Sequence, residues 1–324
     1  MVRRRSTRRI ATSPPPDPPY LWSSGKLVPW AEATVHVSAL AWTGVSAVFE
    51  GIRAYWNQGE EEMYIFRLQS HLHRLLDSMK LMRMSSPYSP SELTTAIMDL
   101  LKANQVREDT YIMPLAYFGG SVPGYKAAYQ QPGEVLITTR PLASNARSNR
   151  GSHCCISSWV RISDNVMSPR AKSISNYQNS RLVSTEAQIN GYDAGIILNP
   201  QGKVAEGAYA CVFLVRDGVA ITPGVTAGIL EGITRDTVIR LFRDVLRMPV
   251  EERDVDRTEL YVAEEAFFCG TYFEIEPIVS VDRYLVGSGR PGPLTRKLRR
   301  LYQGIVRGED RGYTQWQTPV WHSS

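Results

Sequence analysis

From Ala143 to Ser152 the chain loses every periodicity, because the segment is built of Ser, Asn, Arg and Gly and neither a helical nor a strand repeat crosses it. On either side, apolar strand-like runs and amphipathic helical segments are intermixed. The break therefore divides the chain into two lobes of mixed structure rather than into a helical half and a β half. A length of 324 residues, at roughly 150 per domain, accommodates both. The expected organisation is a leader over 1–19, a small α/β lobe over 20–142, an interdomain loop over 143–152, a larger lobe over 153–310 and a C-terminal tail over 311–324. The fold class is α+β.

Local signals fill in the lobes. Leu68, Leu72, Leu75 and Met79 recur at helical spacing between Arg67 and Leu81. Ser89-Pro90-Ser91-Glu92 combines an N-cap serine, a proline at the first helical position and a capping-box glutamate, and Leu93, Ile97 and Leu100 follow on one face. Beyond the break, Cys154 to Val160 reads as a strand and Asn179 to Asn190 as a helix closed by Gly191. The runs Ala194–Leu198 and Cys211–Val215 flank the turn Asn199-Pro200-Gln201-Gly202 and read as a hairpin. Helices are expected at Thr234–Leu246, at Arg257–Glu264 with Asp256 and Glu259 in capping-box spacing, and at Leu294–Val306, with a strand at Ala266–Cys269.

Charge and composition exclude several classes of function. The formal charge is +5, but Arg3, Arg4, Arg5, Arg8 and Arg9 against Asp17 place +4 of it in the first 18 residues. The body is nearly neutral, which argues against nucleic acid as its partner. The leader runs on into Pro14, Pro15, Pro16, Pro18 and Pro19, a composition that cannot bury enough apolar surface to fold. It resembles a transit peptide only weakly, since it lacks an amphipathic face. No apolar run reaches the ~18 residues that span a bilayer, so no membrane partner is expected. The four cysteines form no C-x-x-C pair, which points to a reducing, cytoplasmic compartment.

Two chemical motifs fall away. Gly287-Ser288-Gly289-Arg290-Pro291-Gly292 matches a dinucleotide fingerprint, but too little chain follows for a βαβ unit, and Pro291 and Pro293 remove amides a pyrophosphate needs. Of the five histidines only His71 and His73 are close in sequence, and at i, i+2 on a helix they point apart, so no metal is expected. What remains is Lys172 among small and polar neighbours, Glu206 isolated between apolar residues, and Leu230-Glu231-Gly232-Ile233-Thr234 opening a helix whose amides suit an anion. Gly270-Thr271, after an apolar strand, offers further amides. A reactive lysine, a buried acid and an anion cup together fit pyridoxal 5'-phosphate. Singly, each also fits a surface lysine, a hairpin-edge charge or an ordinary helix start.

Read together, these motifs resemble the class IV, fold-type IV pyridoxal phosphate aminotransferases, and most of all the branched-chain amino acid aminotransferases. The resemblance runs from Tyr20 to about Arg307. It rests on Phe49-Glu50-Gly51-Ile52-Arg53, Phe66-Arg67 with His71 and Arg74-Leu75, Lys172 with Asn176-Tyr177, Glu206-Gly207-Ala208, Leu230 to Asp236, and Gly270-Thr271, in the family's order and spacing. It implies that Lys172 is the catalytic base and covalent anchor, that Glu206 pairs with the pyridine nitrogen and that Tyr177 bonds the ring hydroxyl. By the same likeness Leu230 packs on the ring, while Arg67, Ile233, Thr234 and Thr271 hold the phosphate. A homodimer acting on an amino acid and a 2-oxo acid is implied as well.

The departures fall on the substrate side, expected to comprise Phe49, Arg53, Tyr111, Met113, Tyr272 and Phe273. The family's tyrosine five residues before Phe49 is replaced by Gly44, with Trp42 nearby, and its Gly-Glu-Asn by Tyr209-Ala210-Cys211. Its Tyr-Ile-Arg-Pro, whose arginine is linked to the glutamate side-chain carboxylate, reads Tyr111-Ile112-Met113-Pro114. Two small residues after Thr271 are replaced by Tyr272 and Phe273. The expected activity is transamination of branched-chain or other apolar amino acids, with altered specificity of a kind found in specialised metabolism. Glutamate is expected to be a poor donor unless Arg53 or another residue replaces the missing arginine. The alternatives are another reaction on the same fold, a lyase or a D-amino acid or amine transaminase, and a nucleic-acid-binding or regulatory protein that uses the Arg-rich leader.

Overall fold

The computed structural model describes residues 16–35, 45–119, 132–144 and 150–322. The expectations placed on the leader up to residue 15, and on Trp42 and Gly44, lie outside these residues. The first lobe is built on β1 (Tyr20–Ser23), β2 (Lys26–Pro29), β3 (Val48–Phe49), β4 (Ile52–Asn57), β5 (Glu62–Phe66), β6 (Thr110–Tyr117) and β7 (Glu134–Pro141). All their pairings are antiparallel. Helices α1 (Leu68–Leu81) and α2 (Pro90–Ala103) cover one face of this sheet. The helical repeat Leu68, Leu72, Leu75 and Met79 packs with Leu93, Ile97 and Leu100 of α2 onto Ile52, Ile65, Ile112 and Ile137. Each such side chain, fully buried, stabilises the fold by roughly 1.5–3 kcal/mol. The capping box at Ser89 forms as its sequence dictates, with the Ser89 amide donating to Glu92 at 2.8 Å.

The second lobe carries β8 (Ser152–Val160), α3 (Tyr177–Ile189), β9 (Ala194–Leu198), β10 (Val204–Gly207), β11 (Cys211–Arg216), β12 (Val219–Thr222), α4 (Ile233–Arg240), β13 (Val250–Glu252), β14 (Glu265–Gly270), β15 (Glu274–Val281), β16 (Tyr284–Leu285) and α5 (Pro293–Val306). Its sheet order is β10-β9-β8-β15-β14-β11-β12-β13, with β16 on β15. The stacked rings of Phe213 and Phe267, 5.2 Å apart, join Phe242 and the α5 residues Leu298, Tyr302 and Ile305 in one core. Tyr55 and Phe66 of the first sheet enter the same core, so the lobes share an apolar seam.

Three expectations are corrected. The turn at Asn199–Gly202 joins β9 to β10, not to β11; β8, β15 and β14 lie between β9 and β11, which pairs with β14 and β12. The segment after Asp256 is a 3-10 turn, Arg257–Tyr261, without a side-chain cap, because Lys203 takes the Asp256 carboxylate at 2.6 Å. The C-terminal tail is part of the first lobe: β17 (Gln317–Pro319) pairs with β5, and the amides of Val320, Trp321 and His322 donate to Glu62. Ahead of α5, the glycine-rich turn meets no open helix end, since the Leu294 and Thr295 amides donate to the Glu265 carboxylate at 2.9 and 2.8 Å.

Candidate active site

A cavity of about 600 Å³ is lined from both lobes. Lys172 reaches it from a loop whose backbone is clamped on two sides: its carbonyl accepts from the Phe49 amide at 2.9 Å and its amide donates to the Ser78 hydroxyl of α1 at 3.0 Å. The small polar neighbours seen in the sequence do structural work here. Asn176 donates to the Ser168 and Ala171 carbonyls at 2.9 and 3.0 Å and fixes the loop's curvature. The Lys172 Nζ donates to the Tyr177 hydroxyl and lies 4.5 Å from the centre of the Phe49 ring. Burial pushes the ammonium down, but the Tyr177 oxygen and the Glu50 carboxylate outweigh it and hold Lys172 above the usual lysine range.

Glu206 lies in β10 just after a shift of register and lines the same cavity. Arg161 meets it at 2.8 Å, and the Leu230 amide donates to its other oxygen at 3.1 Å. Burial pushes the carboxyl up, against the pull of Arg161, the Leu230 amide and Lys172, so Glu206 is a more basic carboxylate than a solvated one. At another wall, Gly232 caps α4 and its first-turn amides, lacking intrahelical partners, open toward an anion. A Cβ at position 232 would stand 2.8 Å from the Cys211 sulfur, so only glycine lets this turn close on β11. Thr234 and Thr271 border the same cup, and Leu230 lies beside it.

Two expected residues are absent from the cavity. Arg67 sits at the β5–α1 junction with φ of +49°, which turns its side chain outward to Asp236 at 2.5 Å, to Thr237 and Ser70, and over the Trp316 ring at 5.3 Å. The α1 arginine that does line the cavity is Arg74, seven residues further along the chain. It is gripped by the buried Glu50 carboxylate at 2.7 and 2.9 Å and donates to the Glu231 carbonyl at 2.8 Å. Arg74 and His71 together hold the Glu50 carboxyl down at about 2 against its burial. Arg53 is likewise withdrawn: it is fully buried, with Nη2 on the Leu142 carbonyl at 2.6 Å and Nη1 3.3 Å from Glu274. Because Glu274 follows directly on the turn 271–273, Arg53 supports that turn from behind.

The remaining substrate-side residues do converge. Phe49, Tyr111, Met113, Tyr272 and Phe273 all line the cavity. A Cβ at Gly51 would stand 2.1 Å from the Tyr111 hydroxyl, so the glycine of the Phe-Glu-Gly motif is the space the Tyr111 ring occupies. Tyr209 stacks on Tyr177 at 5.9 Å and narrows the opposite side. Sequence reasoning missed Arg161, Arg140 and the role of Arg74. The first was legible only as the cation that a desolvated Glu206 requires, and the last as an arginine sharing a helix face with His71.

This chemistry fits pyridoxal 5'-phosphate: a buried amine, a carboxylate held by an arginine, and an anion cup with its own arginine all face one space large enough for a substituted pyridine. A family described as class IV amino-transferase matches residues 47–281. The probable branched-chain-amino-acid aminotransferase of Aquifex aeolicus is 40% identical over 302 residues, covering 93% of this chain and 97% of that protein. The Escherichia coli branched-chain-amino-acid aminotransferase is 36% identical over 304 residues, covering 93% and 97%. Among solved structures, the branched-chain amino acid aminotransferase of Thermobaculum terrenum in its PLP form is 51% identical with a TM-score of 0.89, covering 94% of this chain and 99% of that one.

Proposed function

Because the chain belongs to the class IV aminotransferases and is a pyridoxal phosphate-dependent transaminase, we propose that it moves amino groups between branched-chain or other apolar amino acids and 2-oxo acids. The observation that carries this reading is the convergence of Lys172, the Glu206–Arg161 pair and Arg74 with the α4 N-terminus on one cavity walled by Phe49, Met113 and Phe273. Pyridoxal 5'-phosphate, when bound, supplies a ring that withdraws electrons from the substrate Cα. Lys172 would hold it covalently and would carry the proton to and from the substrate Cα. Glu206 keeps the ring nitrogen protonated, Tyr177 bonds the ring oxygen, and Leu230 packs on its face. Arg74 and the amides of Ile233, Thr234 and Thr271 hold the phosphate. Tyr111 and the amides after Thr271 receive the substrate α-carboxylate.

A cytoplasmic homodimer accompanies this reading. The four cysteines are free and buried, as suits a reducing compartment, and no helix among the described residues is long and apolar enough to cross a membrane. The test is spectroscopic. Leucine should bleach the visible band of the bound cofactor and a 2-oxo acid should restore it; a band unmoved by any apolar amino acid sinks the proposal.

The phosphate assignment has its own test. Arg74→Ala should weaken cofactor binding by roughly 1.5–3 kcal/mol, about 10- to 100-fold. Arg67→Ala, which removes only contacts outside the cavity, should cost less. A cofactor titration in which Arg67→Ala loses as much affinity as Arg74→Ala would return the phosphate to Arg67.

A further inference from the structure

Met113 leaves β6 without a cation on the side that lines the cavity, yet the next strand carries one. In the β6–β7 ladder Tyr111 lies opposite Arg140 and Met113 opposite Thr138, so the four side chains share one face of the sheet, and from it Tyr111, Met113 and Arg140 line the cavity. Arg140 is thus the diagonal neighbour of Met113, a separation that long side chains bridge. Its guanidinium rests on the Tyr111 ring, 5.0 Å from the centroid, and the side chain is exposed. The other cavity-lining cations have partners: Arg74 is held by Glu50, Arg161 by Glu206, and Lys172 by the Tyr177 hydroxyl. Among the described residues no carboxylate pairs with Arg140, and Arg53, the other candidate to replace the missing arginine, is locked on Glu274 and Leu142 behind the turn.

We propose that Arg140 is the specificity-determining cation that receives the second carboxylate of a dicarboxylic substrate, acting from β7 in place of the arginine that β6 lacks. The proposal rests on the transaminase reading above and names the residue of that pocket that would meet an acidic side chain. With an apolar side chain in place, Arg140 stays stacked on Tyr111, where its stem adds to the apolar wall. With an acidic side chain in place, the guanidinium leaves the ring and donates to the carboxylate, because a charge-assisted hydrogen bond outweighs a ring-face contact. Glutamate is therefore accepted, against the expectation drawn from Met113 alone.

The test is single-turnover bleaching of the cofactor-loaded enzyme by glutamate and by leucine, read as the ratio of the two second-order rates. In the wild type both amino acids should react. Arg140→Met should lower the glutamate-to-leucine ratio by about 10- to 100-fold, the factor a charged hydrogen bond carries. Arg140→Lys should keep most of the ratio, and Met113→Arg added to Arg140→Met should restore it. A wild type that reacts with leucine and not with glutamate overturns the inference and leaves the transaminase intact. So does an unchanged ratio in Arg140→Met, whatever happens to the two rates together. A wild type inert to both overturns the underlying reading and the inference with it.

Discussion

Lys172→Ala should end amine transfer, with turnover falling by on the order of 10⁴-fold or more. Two functions leave with one side chain, the covalent hold on the cofactor and the proton carrier at Cα. No replacement is at hand, since no other lysine lines the cavity among the described residues. Lys172→Arg separates charge from chemistry. It restores a cation beside Tyr177 and Phe49, but a guanidinium is neither a nucleophile nor a proton carrier near neutral pH. Both variants should therefore be inactive, and borohydride should fix cofactor to the wild type alone, as a mass increase on the peptide that contains residue 172. Turnover within tenfold of wild type in either variant would remove Lys172 from its role.

What could be read from the chain and what could not divide along the range of the interaction. The Ser89 cap and the stripe of α1 follow from residues within a turn of one another, so local chemistry was enough. Strand partners are chosen over long distances. An apolar run at Cys211–Val215 after a tight turn looks like the second arm of a hairpin with β9, although it pairs with β12, which follows it, and with β14, which begins some fifty residues further on. Of the residues expected on the cofactor side, Lys172, Tyr177, Glu206, Leu230, Ile233, Thr234 and Thr271 each sit in a motif, and the fold brings all of them to one cavity. Arg67 stands in the same run of motifs, yet its own backbone is left-handed and its side chain lies away from the cavity. Arg140 was hidden for another reason. An arginine at the end of a strand reads as a solvated charge until the ladder shows it opposite Tyr111.

Glu206→Gln should leave the cofactor bound and slow removal of the Cα proton by about 10²–10³-fold, the scale of losing one preorganised charge at a reacting centre. The argument starts from burial. Glu206 is 6% exposed, and desolvation raises its basicity, so it holds a proton on the ring nitrogen more firmly than a solvated carboxylate does. Arg161, 2.8 Å away, keeps it from simply taking the proton itself and becoming neutral. Glutamine keeps the shape and can still accept from the Leu230 amide, but it has no charge to stabilise a protonated ring, and it leaves the Arg161 guanidinium without its counter-ion. The substrate Cα would then be less acidic, and Lys172 would take its proton more slowly. The groups proposed to hold the phosphate, Arg74 and the α4 amides, are untouched, so affinity should hold while the rate falls. Single-turnover bleaching by leucine, with the Cα hydrogen replaced by deuterium, reads this step directly: the isotope effect should grow in Glu206→Gln as proton removal becomes fully limiting. Equal rates and equal isotope effects in the two proteins would show that Glu206 serves only to balance Arg161.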